Sequence, residues 1–201
     1  MSPRNSLAGA AAARQRILDR GVAVASVEGL RGLSIGRLAA EVGMSKAGLI
    51  GPFGSKEMLQ LSILERGGEL IAEIMLEPAA AAPPGRARLQ ALTEGWIRYI
   101  SAEPEHFPGG CLFTTATFEY DALDGPVHDA VVDGMNRWRA YLVEATREAA
   151  ELGELPDGAD PDQLAFELMG LFTGFNMSVH LFHDPDAVAR LRQGVGRLLG
   201  T

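Results

Sequence analysis

The chain has 201 residues, 47% of them apolar and 22% charged, enough to bury a sizeable core and unlike a disordered or fibrous chain. Its single cysteine, Cys111, excludes an intrachain disulfide framework and fits a reducing compartment. The net charge of −8 divides into +4 over residues 1–66 (nine Lys/Arg, five Asp/Glu) and −12 over residues 67–201 (nine and 21), so an acidic body carries a basic end suited to phosphates.

The stretch Met1–Asn5 leads into an Ala-rich run that soon meets Arg14 and Arg16. It has no long apolar region, so neither a signal peptide nor a membrane anchor is expected, and the protein is expected to be cytoplasmic. A first helix is predicted over about residues 10–26, with Ile17, Leu18, Gly21, Val22 and Ala25 on one face. Gly29 and Gly32 punctuate its end. Ser34 is placed to cap a short helix through Val42, and Ser45 to cap another after the tight turn Gly43-Met44-Ser45, where Gly43 permits a positive φ. Pro52 and Gly54 close that helix, and Ser55 caps a long one from Lys56 to about Leu76. Gly67-Gly68 inside it cost about 1 kcal/mol each relative to Ala, which implies either close packing or a hinge.

Glu77–Gly85, with Pro78 and Pro83-Pro84, reads as a linker. Further helices are predicted at about 86–103, 111–123, 126–153, 161–182 and 185–199, with Pro161 and Pro185 in first turns. Leu164–Phe182 is the most apolar stretch, but Glu167, Asn176 and His180 argue for a buried helix over a membrane span. No run alternates as a strand would. The expected fold is all-α with about nine helices: a three-helix helix-turn-helix domain over 1–66 and a helical domain over 67–201.

Residues 34–56 read SIGRLAAEVGMSKAGLIGPFGSK. Two short helices joined by a Gly-containing turn form the helix-turn-helix pattern. Ile35, Leu38, Ala39 and Val42 supply the buried face of the first, and Leu49 anchors the second. Ser45, Lys46, Ala47, Gly48 and Ile50 stay outward, a slim face suited to a DNA groove. The stretch from about Arg14 to Glu65 resembles the DNA-binding domain of the TetR family. The resemblance rests on R-I-L-D at Arg16–Asp19, G-L-x-x-L-S-I at Gly29–Ile35, L-A-x-x-V-G-M-S-K at Leu38–Lys46 and F-G-S-K-E-x-L at Phe53–Leu59. It implies a homodimeric regulator, expected to be a repressor, that binds a palindromic operator in double-stranded DNA and is released by a small-molecule effector.

Under the resemblance, Ser34, Gly36 and Arg37 lie at the DNA backbone, Ser45, Lys46, Ala47 and Gly48 enter the groove, and Lys56 meets a phosphate at a helix N-terminus. Ile50 stands where the family usually carries Tyr, and His is frequent near the position of Pro52. A lost phenol removes a phosphate hydrogen bond, about 1 kcal/mol per site. These departures keep an alternative open: a dimeric helical ligand- or partner-binding protein with a degenerate DNA-reading helix.

The C-terminal part is rich in large side chains. Trp96, Phe113, Thr117, Met135, Trp138 and Phe172 are the expected lining of a site for a small apolar effector. Leu164–Phe182 is apolar nearly all round, so one face is expected on its own core and another on a partner subunit. Phe166, Gly170, Gly174 and Phe175, with Leu191 and Val195 of the last helix, are the expected dimer interface. His180, His183 and Asp184 read as a helix end, so no metal is expected. His106 and Cys111 lack a third orienting group, so neither catalysis nor a cofactor is expected.

Overall fold

The computed structural model describes residues 3–201, with side chains from residue 9 onward, so Met1, Ser2 and the Arg4 side chain lie outside the described residues. The helices are α1 (Pro3–Gly32), α2 (Ile35–Glu41), α3 (Lys46–Ile50), α4 (Lys56–Ile71), α5 (Glu77–Ala80), α6 (Arg86–Ser101), α7 (Leu112–Tyr120), α8 (Pro126–Glu151), α9 (Pro161–His180) and α10 (Ala187–Leu199). A π turn, Ala72–Leu76, joins α4 to α5 without a break, so the described residues form nine helical segments and no strand.

The local signals set most boundaries. Side-chain oxygens of Ser34, Ser45 and Ser55 accept from the amides of Arg37, Gly48 and Met58 at 3.4, 3.1 and 3.1 Å, each satisfying an otherwise orphaned donor. Asp160 caps α9 in the same way, with Pro161 in its first turn. Pro185, by contrast, precedes the N-cap Asp186 of α10 and stands outside the helix. α1 is longer than its apolar face suggested, and it is interrupted at Gly29, whose φ of 76° and ψ of 162° are not helical.

The expected linker at Glu77–Gly85 is helical as far as Ala80. Pro78 cannot donate to the carbonyl of Ile74 one turn back. The preceding π turn widens the backbone there, and Arg98 Nη1 donates to that carbonyl at 3.2 Å. The proline is accommodated because its missing hydrogen bond is replaced by a side chain from α6.

Contacts group the chain into two compact units, which no single cut separates: Met1–Glu69 with Glu105–Val132, and Leu70–Pro104 with Asp133–Thr201. In the first, Ile17, Val22 and Ala25 of α1 are buried with Leu38, Leu49, Leu59 and Ile63, and Leu112, Ala116 and Tyr120 of α7 are buried in the same unit. In the second, the core comes from Leu92 and Trp96 of α6, Leu142 and Ala149 of α8, Leu168 and Phe172 of α9, and Leu191 and Leu199 of α10.

The two central glycines of α4 differ. A Cβ at Gly67 would lie 2.8 Å from Leu112 Cδ2, whereas at Gly68 the nearest atom, Phe113 Cζ, is 4.0 Å away. Gly67 is therefore a packing glycine, and the irregular stretch of this helix lies further on, at Ala72–Leu76. Gly67→Ala is expected to destabilise by about 1–3 kcal/mol through overpacking. Gly68→Ala should instead stabilise by about 0.5–1 kcal/mol. Urea unfolding of both variants checks this; equal effects would refute the distinction.

Candidate nucleic-acid interface

The helix-turn-helix is built from very short elements. α2 ends at Val42, Gly43 takes a φ of 68°, and the chain re-enters helix at α3 behind the Ser45 cap. Leu49 is fully buried and fixes α3 against the core, and Phe53 is buried just after it. The Arg14 guanidinium lies 5.2 Å from the centre of the Phe53 ring, a cation–π contact that covers this corner.

What remains outward is Ser45, Lys46, Ala47 and Gly48, all exposed, with Ile50 half-buried. Lys46 lies across Gly36: a Cβ on residue 36 would come within 2.7 Å of Lys46 Cε and 3.8 Å of Ser34 Oγ. The structure thus brings Ser34, Gly36 and Lys46 together. Arg37 is held by acidic neighbours, pairing with Glu28 and, at 3.0 Å, with Glu41, which also pairs with Arg20. Lys56 Nζ is exposed and donates to the Arg31 carbonyl at 2.9 Å.

The acidic partners were not singled out from sequence, although Arg37 and Glu41 stand at i, i+4, a spacing that joins charges on a helix. Partial burial works to raise the Glu41 carboxyl, but hydrogen bonds and charge from Arg20 and Arg37 outweigh it and hold the group below its ordinary value. The pairs therefore contribute above the unfolded carboxylate range and are lost as pH falls through the lowered value. Glu41→Gln removes a negative charge and releases two arginines from it. Binding to random duplex DNA is expected to tighten, with a salt dependence steeper by about one unit for each arginine that reaches a phosphate. An unchanged slope in a salt titration would show that these arginines face away from DNA.

In the second unit, three of the expected effector residues converge. Trp96 stacks with Phe172 (centroids 5.0 Å apart) and with Trp138 (5.7 Å), and Trp138 lies 5.9 Å from Phe172. Trp96 Nε1 donates to the Phe172 carbonyl at 3.2 Å. Two residues missed from sequence extend the cluster: Tyr99, edge-on to Trp96 at 5.5 Å, and Tyr141, stacked on Trp138 at 6.4 Å. Each stands three residues beyond a tryptophan, a helical spacing that could have revealed it. Met135 is half-buried on α8, while Phe113 and Thr117 belong to the first unit, where Thr117 Oγ1 donates to the Phe113 carbonyl at 2.9 Å. An open groove of about 400 Å3 runs beside α8 from Asn136 to Arg147, and none of the expected effector residues lines it.

The expected interface residues divide by face. Phe166 is 71% exposed, and Gly170 and Gly174 are exposed with open space above them. Phe175, Leu191 and Val195 are buried in the core of the same unit. His180 Nε2 lies 3.1 Å from the Ile100 carbonyl, and Cys111 Sγ accepts from the Thr114 amide at 3.3 Å as the cap of α7. Among the described residues, no three His, Cys, Asp or Glu side chains are grouped to share a metal ion, and no helix is long and apolar enough to cross a membrane.

A capped helix-turn-helix followed by a helical domain with a clustered aromatic core defines a class of DNA-binding regulator. Residues 17–63 match the tetR family of bacterial regulatory proteins, and residues 85–195 match the tetracyclin repressor-like C-terminal domain. The chain is 26% identical over 176 residues to the HTH-type transcriptional regulator SrpR of Pseudomonas putida, covering 85% of this chain and 76% of that one. Its fold is similar to that of a TetR transcriptional regulator from Chloroflexus aurantiacus (TM-score 0.81, 21% identity, 96% of this chain and 94% of that one). It is also similar to AibR, solved in complex with isovaleryl coenzyme A and operator DNA (TM-score 0.71, 24% identity, 93% and 98%). The chain belongs to the TetR family: it is a transcriptional regulator with an N-terminal DNA-binding domain and a C-terminal ligand-binding domain. Regulators of this family are non-enzymatic DNA-binding transcription factors.

Proposed function

We propose that the protein acts as a homodimeric repressor that grips a palindromic operator and lets go when a small, largely apolar effector binds. The observation that carries the DNA reading is the exposed run Ser45–Gly48 on a helix capped by Ser45 and anchored by Leu49. Small side chains at Ala47 and Gly48 let the backbone approach base edges, and Lys46, reaching across Gly36, supplies the charge. Ser34, Gly36, Arg37 and Lys56 stand at the phosphates, where they set position and affinity but read no sequence. Ile50 adds apolar contact in place of a phenol.

Dimerisation is supported by the exposed face of α9. Phe166, Gly170, Gly174 and Met177 form an uncovered stripe at helical spacing, and an apolar stripe of this kind is what a second subunit covers. The effector reading is supported by the cluster of Trp96, Trp138 and Phe172, three of the expected lining residues that the fold brings together. Phe113, Thr117 and Met135 remain assigned to the effector on the sequence reading alone. Operator DNA and isovaleryl coenzyme A, bound by AibR, are the kinds of partner this reading requires.

Selection from a random duplex library, followed by a salt titration, tests the DNA reading. One palindromic motif is expected, and Lys46→Ala with Lys56→Ala should flatten the salt slope by about two units per subunit. No enriched motif, with ligand binding intact, would favour a dimeric ligand- or partner-binding protein with a degenerate reading helix. Light scattering on Phe166→Asp tests the interface: the expected species is a monomer, and a persistent dimer would move the interface elsewhere. The only two tryptophans, Trp96 and Trp138, both lie in the cluster, so its emission reports on that site alone. Candidate effectors that release DNA should shift it; release with unchanged emission would place the effector away from these rings.

A further inference from the structure

The last turn of α1, beyond its break at Gly29, is held by side chains from other helices. Gly29 breaks the helix and frees the amides of the next two residues, Leu30 and Arg31, and the end of the helix at Gly32 leaves their carbonyls free as well. All four groups are taken by side chains of the same unit. Glu119 Oε2, from α7, accepts from the Leu30 amide at 2.8 Å and from the Arg31 amide at 3.4 Å. Gln60 Nε2, from α4, donates to the Leu30 carbonyl at 2.6 Å and to the Tyr120 hydroxyl at 3.2 Å. Lys56 Nζ donates to the Arg31 carbonyl at 2.9 Å. Burial, and then the Glu119 charge, push the Tyr120 phenol up, so it remains a neutral acceptor for Gln60 at ordinary pH.

Steric fit points the same way. A Cβ on Gly29 would overlap the Glu119 carboxylate, so the glycine both makes the turn and opens the space the carboxylate fills. Gly109, shortly before α7, lies so close to α1 that a Cβ there would overlap the Ser26 backbone, and its amide donates to Ser26 Oγ at 3.1 Å. α7 and the residues just before it are thus seated on α1 at two points, and the contact through Glu119 is a carboxylate acting as a helix cap supplied from elsewhere in the chain.

We propose that Glu119 is a positioning residue for DNA reading: it fixes the turn from which α2 starts, and through α2 the attitude of α3. Gly32, Leu33 and the Ser34 cap follow the clamped pair, so rotation about Gly29 would swing the whole head. A displacement of α7 would be passed to the head by the same bonds. The proposal rests on the DNA-reading role above.

The test measures operator affinity by anisotropy and amide exchange at Leu30 and Arg31 without DNA, on the full chain. Glu119→Gln keeps an acceptor at the same reach, whereas Glu119→Asp keeps the charge but retracts it by a methylene. The expected result is that Asp and Ala at 119 weaken operator binding about tenfold while Gln retains most of it. In the Asp variant, exchange at Leu30 and Arg31 should accelerate with Val22 still protected, which separates local uncapping from global unfolding. Should the Ala variant fail to fold, the Asp and Gln pair decides alone. Wild-type affinity in the Asp variant, or unchanged exchange at Leu30 and Arg31, would overturn the proposal. If the wild type selects no DNA motif, the DNA-reading role fails by itself, and amide exchange still tests the clamp.

Discussion

A five-residue helix cannot hold its own shape. Fixing the first turn of a helix costs more than its first hydrogen bond returns, so α3, Lys46–Ile50, has no stability of its own to draw on. Its geometry is imposed from outside. Ser45 closes its N-terminus, Leu49 is fully buried, and the Ile50 carbonyl accepts from the amides of Phe53 and Gly54, both at 2.9 Å. The element with the greatest need for accurate placement is therefore the one least able to place itself. Everything beneath it, from the Arg14–Phe53 contact to the face of α1, serves that placement.

The charge distribution follows a related logic. A chain of net charge −8 meets a polyanion most readily through its locally basic end, and even there part of the positive charge is paired. Arg37 is shared between Glu28 and Glu41, and Arg20 is paired with Glu41. Such pairs limit indiscriminate attraction to phosphates, which is sequence-blind and dominates non-specific binding. Under the proposed function, Lys46, which lies over Gly36 beside the small residues of α3, supplies positive charge at the reading face. On that reading, discrimination rests more on the shape of the face than on the amount of charge.

How much of this was legible in the sequence depended on the range of each interaction. Ser34, Ser45 and Ser55 each act on an amide three residues away, so their caps could be read directly. The helical run through Pro78 could not be, because the group that replaces its lost hydrogen bond, Arg98, lies 24 residues from the carbonyl it serves. Apolar periodicity gave the all-helical fold and the resemblance gave the head, but a helix that is apolar all round does not declare its faces. Phe166 and Phe175 are nine residues apart, about 180° around α9, so one pointing outward places the other in the core. Gly170 and Gly174 fall within about 80° of Phe166 and share its side. The aromatic residues were recognisable as types, yet only the packing of α6, α8 and α9 shows that Trp96, Trp138 and Phe172 meet.

The turn at Gly29 shows why sequence signals and mechanical roles can diverge. A glycine at positive φ between two helices suggests freedom, and read alone it would be a swivel. Here Glu119, 89 residues from Leu30 in the chain, takes the amides that the break exposes, and Gln60 and Lys56 take the carbonyls. The left-handed conformation remains, but the polar groups that would otherwise turn with it are each bound to a helix. Glycine is needed because no other side chain leaves room for the carboxylate. The feature that looks like a joint is a fixed corner, and its rigidity is supplied by residues that no local pattern connects to it.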